Sequence, residues 1–202
     1  MIKFRLLIFF VFTGCVGTGD HKFFLIPQKS YPEYLDEFKS CTGKGSIESK
    51  VNLRGTLSFS YNSQRDSTFF QFTDILGRKV LLMWITPSNI SARDMIANKH
   101  YGYTQIMEFF PIFRILGPMD ITEIVWGAEP NYKKKGGSVN SQINKNTELN
   151  FFYKKNKNKK RSLVDVKYHD KSTDQMANFS INNRNYSNEY INMRKFWKLL
   201  KY

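Results

Sequence analysis

From residue 51 the chain adopts a period of two. Val51, Leu53, Leu57, Phe59 and Tyr61 alternate with Asn52, Arg54, Ser58 and Ser60. That pattern suits a long strand with one buried and one wet face. Gly55 inside the alternation predicts a bulge or bend. Ser67 to Phe72 reads as a second strand, and Arg78 to Thr86 as a third that is apolar on both faces. Something must therefore cover each side of the third strand. The connections are short: a turn at residues 62–66, and one at Asp74-Ile75-Leu76-Gly77 whose tip is unusually apolar. Strands joined this tightly pair antiparallel.

The flanking segments predict helices before and after, then more strands. Ser30 is placed to cap a short helix, with Pro32 in its first turn, Glu33 at the capping-box position, and Tyr31, Tyr34, Leu35 and Phe38 on one face. Thr42-Gly43-Lys44-Gly45 is expected to end it as a turn. Ser91 to Ile96 resembles a helix start. Residues 105–110 and 112–116 predict a helix broken at Pro111, and Asp120, Glu123 and Gly127 predict the cap, box and stop of another. Lys133-Lys134-Lys135-Gly136-Gly137 is expected to be an exposed loop. Strands are predicted at 147–155, 161–168, 175–181 and 186–193, with turns at 156–160 and 182–185. The absence of βαβ alternation predicts an α+β fold: a curved antiparallel sheet or incomplete β-barrel with helices on one side.

Charge divides the chain unevenly. Of the formal +14, residues 133–202 carry 17 Lys and Arg against Glu148, Asp165, Asp170, Asp174 and Glu189, a net of +12. Residues 15–132 balance, and Lys3 and Arg5 supply the other two charges. Aromatic residues make up 16% of the 202, too much apolar surface for a disordered chain. The basic C-terminal third would suit an anionic membrane face, an acidic partner, or only a solvated surface in a Lys- and Asn-rich composition. Nucleic acid is not expected as a partner, because the N-terminus points to export.

That N-terminus is Met1-Ile2-Lys3-Phe4-Arg5, then an apolar run from Leu6 to Phe12, then Thr13-Gly14-Cys15. The run is too short to span a bilayer and has the flanks of an export signal. Phe12-Thr13-Gly14-Cys15 resembles the bacterial lipobox, with Phe12 where Leu is usual. On this reading residues 1–14 are a signal peptide, Cys15 is lipidated, 15–29 is a tether, and 30–202 is one domain. The alternative is a plain signal peptide cut nearby. Val16-Gly17-Thr18 lacks an aspartate after the cysteine, which favours an outer-membrane location on the periplasmic face. Cys41 is expected to be a buried structural thiol.

Catalytic signatures are lacking in the sequence. His21, His100 and His169 have no Cys or carboxylate at ligand spacing, and no nucleophile elbow, phosphate loop or dinucleotide fingerprint occurs. The expectation is a non-enzymatic protein without a metal or other cofactor.

Aromatic richness on a sheet facing amphipathic helices fits a packed core, or a cavity under a helical lid sized for acyl chains. The lipobox, the strand Leu53-Arg54-Gly55-Thr56-Leu57-Ser58-Phe59, the Leu76-Gly77 turn and the closing Ile124-Val125-Trp126-Gly127 together resemble the LolA/LolB lipoprotein-carrier family over residues 31–195. The resemblance implies an incomplete barrel with a lid of short helices enclosing an apolar cavity. It implies, too, non-covalent binding of acyl chains of lipoproteins or other lipids, delivery by a periplasmic carrier, and insertion into the outer membrane. Under it, Cys15 matches the lipidated cysteine, and Ile75, Leu76 and Gly77 form the membrane-insertion loop. Phe59, Phe72, Trp84, Ile106, Phe109, Phe110, Phe113, Leu116 and Trp126 become candidate cavity walls. The turn departs from the family pattern in lacking a proline just before the leucine. The alternative on the same fold is a structural or interaction lipoprotein that docks through its basic face.

Overall fold

From Gly55 onward the alternating residues pair as expected. A computed structural model describes residues 28–50, 55–130, 146–155 and 161–201, and within these the strands form one open, curved, nine-stranded antiparallel sheet. Its strands are β1 (Ser40–Ser49), β2 (Gly55–Gln64), β3 (Ser67–Thr73), β4 (Lys79–Ile85), β5 (Ile90–Asp94), β6 (Lys99–Tyr101), β7 (Thr147–Lys155), β8 (Arg161–Asp170) and β9 (Gln175–Ser187). They lie in the order β6-β5-β4-β3-β2-β1-β9-β8-β7. The signal peptide, Cys15, most of the tether, Val51 to Arg54, the Lys133–Gly137 loop and the 156–160 turn lie outside the described residues. Gln28 and Lys29, assigned to the tether, belong to the domain: Gln28 donates to the Gly127 carbonyl at 3.1 Å, and Lys29 pairs with Glu37.

Among the described residues four helices accompany the sheet: α1 (Tyr31–Glu37), α2 (Tyr103–Phe109), α3 (Pro118–Trp126) and α4 (Met193–Lys201), with a 3-10 turn at Pro111–Arg114 after α2. α1 begins as its sequence predicts, the Glu33 carboxylate accepting both the backbone N–H and the hydroxyl of Ser30 at 2.6 and 2.5 Å. The helix broken at Pro111 is also present. α3 differs in its cap: Gly117 is the N-cap, and Asp120 is the third helical residue, accepting the Gly117 N–H at 2.9 Å. Gly127 ends α3 at φ +92°, a left-handed conformation that costs a glycine little.

Several sequence expectations fail for physical reasons. Gly43 and Gly45 do not end a helix; they lie inside β1, opposite Tyr61 and Phe59. A Cβ on Gly43 would sit 2.5 Å from the Tyr61 hydroxyl, and one on Gly45 2.5 Å from the Phe59 ring. The backbone of β9 comes closer still to such Cβ atoms, through the carbonyl oxygens of Asn183 and Ser180, so the glycines mark close approach and not a turn. Ser91 to Ile96 is not a helix start, since Ile90–Asp94 pairs with β4 as a strand. Residues 182–185 do not turn: β9 runs through them, its register shifting opposite Lys44 and Gly45 of β1. The strand expected at 186–193 gives way to the end of β9 and then α4.

α4 is the cover that the doubly apolar β4 requires. Phe69, Leu82 and Trp84 on the outer face pack against Leu200, Met193, Phe196 and Trp197. Phe69 stacks on Phe196 at 5.0 Å between centroids, and Trp84 meets Trp197 nearly edge-on at 5.2 Å. Burying side chains of this size contributes about 1.5–3 kcal/mol each. The other face carries the main core under α1, α2 and α3.

Candidate functional site

The strand ends near Gly55, Thr73 and Asp94 define one end of the sheet. Here the β3–β4 turn is built around Asp74, whose Oδ1 accepts the backbone N–H groups of Leu76 and Arg78 at 3.0 and 2.9 Å. Its Oδ2 accepts the Arg78 guanidinium Nε–H at 2.7 Å. These donors, the Arg78 backbone foremost, hold the Asp74 carboxyl below its usual range. Gly77 at φ +77° closes the turn. With the backbone anchored this way, the side chains at the tip are left in solvent: Ile75 is 90% exposed and Leu76 73%. A buried position for Leu76 is thereby excluded.

Beside this turn lie two apolar grooves. One, of about 250 Å³, is walled by Val80, Leu81, Ile96, Ile106 and Phe109. The other, of about 300 Å³, is walled by Ile47, Thr56 and Ile75. Leu57 and Phe110 line both, so these two side chains form the partition between them. Phe110 is the C-cap of α2 and precedes Pro111, and its ring stacks on Phe72 at 6.0 Å. Behind it the rings close up: Phe59 stacks on Phe179 at 5.0 Å and meets Phe70 and Phe72 at 5.3 and 5.6 Å.

Two of the helices over the inner face, α2 and α3, are held differently. α3 is pinned at its C-terminus. Arg184 donates to the carbonyls of Val125 (2.7 Å), Ile124 (2.8 Å) and Leu163, while Tyr61 and Tyr186 bond the carbonyls of Val125 and Trp126. A cation at this pole also suits the helix dipole. By contrast, the side-chain bonds shown for α2 are local. The Gln105 side chain accepts the Gly102 N–H, Tyr103 donates to Phe113, and Arg114 donates to Met107. Tyr101 and Phe109 touch at 5.2 Å across the seam with β6. Among the described residues, α2 meets the sheet through apolar side chains.

The predicted wall residues therefore separate into groups. Ile106, Phe109 and Phe110 line the grooves. Phe59, Phe72, Phe113 and Leu116 are buried behind them in the main core. Trp126 is also core but at the opposite end, where its Nε1–H donates to Ser63 Oγ at 2.8 Å in a cluster with Thr68 and Thr122. It is not a groove wall. Trp84 is a correction of another kind: alternation along β4 puts it on the outer face under α4, away from both grooves. Leu57 and Val80 belong to the site as well; the sequence marks them only as strand positions, Leu57 by alternation and Val80 within a strand apolar on both faces, and the groove shows what they face.

Cys41 is fully buried in β1, near the Tyr61 hydroxyl and the Val125 carbonyl at 3.7 Å each, and burial pushes its thiol up to about 12. Such a thiol is protonated and inert at neutral pH. Among the described residues no three His, Cys, Asp or Glu gather as a metal site, and no helix is long and apolar enough to cross a membrane. Comparison with known families finds no family model that matches this chain, and comparison with curated proteins finds no match.

Proposed function

We propose that the protein is a lipid-anchored envelope lipoprotein that binds acyl chains non-covalently and takes part in moving lipoproteins or lipids into the outer membrane. The observation that carries this reading is the meeting of two apolar grooves at the Leu57–Phe110 partition, beside exposed Ile75 and Leu76. An acyl chain needs apolar walls and an open mouth, with few polar contacts. α2 serves as the lid: swinging Phe110 off Phe72 joins the grooves into one channel, and the local bonding of α2 makes that motion inexpensive beside any motion of α3. Leu76 contacts the bilayer as the chain is handed over, Cys15 holds the protein there, and a periplasmic carrier supplies the cargo. No step calls for covalent catalysis or a cofactor.

The full chain should bind and be displaced from a fluorescent fatty acid, and a chain bearing Leu76→Glu should still bind it but no longer deliver lipoprotein to vesicles. Normal delivery by that variant would remove Leu76 from the mechanism. A second reading, an interaction lipoprotein docking through its basic strands, draws support from the close ring packing around Phe59 and Phe179. Native mass spectrometry of protein purified without its lipid anchor separates the two, because a docking protein then carries no bound lipid.

A further inference from the structure

The β3–β4 turn has a twin. Asp94 begins the β5–β6 turn as Asp74 begins the other, and its Oδ1 accepts two backbone N–H groups, those of Ile96 and Ala97, at 2.8 Å each. Both aspartates are followed by two apolar residues, Ile75-Leu76 and Met95-Ile96. Each turn then closes through a left-handed residue, Gly77 at φ +77° and Asn98 at φ +51°. Met95 and Ile96 are 39% and 71% exposed.

The two turns are neighbours. Thr73 pairs with Lys79 and Leu81 with Asp94, and the Met95 N–H donates to the Val80 carbonyl at 2.9 Å, so both turns leave the same end of adjacent strands. Around them Lys79 and Lys99 are exposed; Arg78 is paired with Asp74, whose side chain is 16% exposed, and the Asp94 carboxylate accepts the backbone of its own turn. The end of the sheet thus offers four apolar side chains on two tips, flanked by cations. Ile96 also walls the first groove, which places the second tip at the lip of the proposed acyl site.

We infer that the β5–β6 turn is a second lipid-inserting element, and that the two turns form a two-pronged tip that docks on an anionic membrane surface. Apolar tips enter the headgroup boundary, and nearby lysines gather anionic lipid. The inference shares with the proposed function the contact of Leu76 with lipid; it does not depend on the grooves holding an acyl chain.

The test uses the full chain with Cys15→Ser, carrying an environment-sensitive fluorophore on Ala97→Cys, on Ile75→Cys, or on Asn182→Cys as a reference far from the tip. Buried Cys41 does not compete for the label. On vesicles of phosphatidylethanolamine and phosphatidylglycerol, labels at 75 and 97 should shift to the blue and be quenched by spin-labelled lipid, with the label at 182 unchanged. Met95→Asp with Ile96→Asp should weaken vesicle binding, read at position 75, by roughly tenfold or more. Lys79→Glu with Lys99→Glu should weaken binding to those vesicles and leave binding to phosphatidylcholine unchanged. A label at 97 that stays in water while the label at 75 inserts overturns the second prong and spares the first. If neither label inserts, the contact of Leu76 with lipid fails as well. Equal loss on both lipids from the lysine variant overturns the anionic preference. Fatty-acid displacement from the unlabelled chain reads the grooves separately.

Discussion

The ring of Phe110 lies against that of Phe72 at 6.0 Å and 26°, closing the end of α2 onto the centre of the sheet. This contact separates the two surface grooves from the aromatic core. It is the place where a packed interior would turn into a lipid channel.

Removing that ring should therefore have two effects of opposite kind. Phe110 is 5% exposed, so Phe110→Ala should cost about 3–5 kcal/mol in chemical denaturation. The same variant should bind a fluorescent fatty acid more tightly than the parent, because the partition is gone. Phe113→Ala, whose ring meets Phe110 at 5.7 Å but lines neither groove, should cost a similar amount without tightening binding.

Leu76→Glu should change stability by no more than about 0.5 kcal/mol, since an exposed turn side chain has little packing to lose. Lipoprotein delivery to vesicles should fall below detection. Thermal unfolding and a transfer assay on the same preparation check the pair.

The order of the β3–β4 turn should depend on pH through Asp74. Its carboxyl is held below the ordinary value of 3.8 by the Arg78 backbone and side chain and by the Leu76 N–H. A depressed carboxyl stabilises fully above that ordinary value and loses its effect as pH falls through the folded-state pKa beneath it. Amide exchange at Leu76 and Arg78 should thus remain protected relative to Asp74→Asn at pH 5 to 7, with the difference vanishing in stronger acid.

The outer layer should be separable from the lipid site. Trp197→Ala removes the partner of Trp84 under α4 and should destabilise the chain by about 2–4 kcal/mol. Fatty-acid affinity, corrected for the folded fraction, should not change.

What the sequence made legible follows physical periodicity. β2, β3 and β4 could be read because alternating polarity and short turns constrain each other, and α1 because Ser30 and Glu33 form a cap that needs nothing distant. Gly43 and Gly45 misled because a glycine under a crossing ring resembles a glycine in a turn until Tyr61 and Phe59 are placed. α4 was missed although Met193, Phe196, Trp197 and Leu200 recur at helical spacing. Interleaved lysines and arginines and the strand pattern just before it mask that stripe. The apolar tip at Ile75 and Leu76 was legible as unusual in itself, while the membrane role given to it came only from the family resemblance. Trp84 was assigned to the wrong face because a strand apolar on both sides gives no sign of which is inner. The Leu57–Phe110 partition joins residues far apart in the chain, and no local pattern announces it.

The most direct measurement is photo-crosslinking of the full chain with a palmitate analogue bearing a diazirine along its chain, mapped by mass spectrometry. Attachment should concentrate on Leu57, Val80, Leu81 and residues 106–110, and excess palmitate should abolish it. Crosslinks scattered over the basic strands, or none that palmitate competes away, would contradict an acyl-chain site between α2 and the sheet.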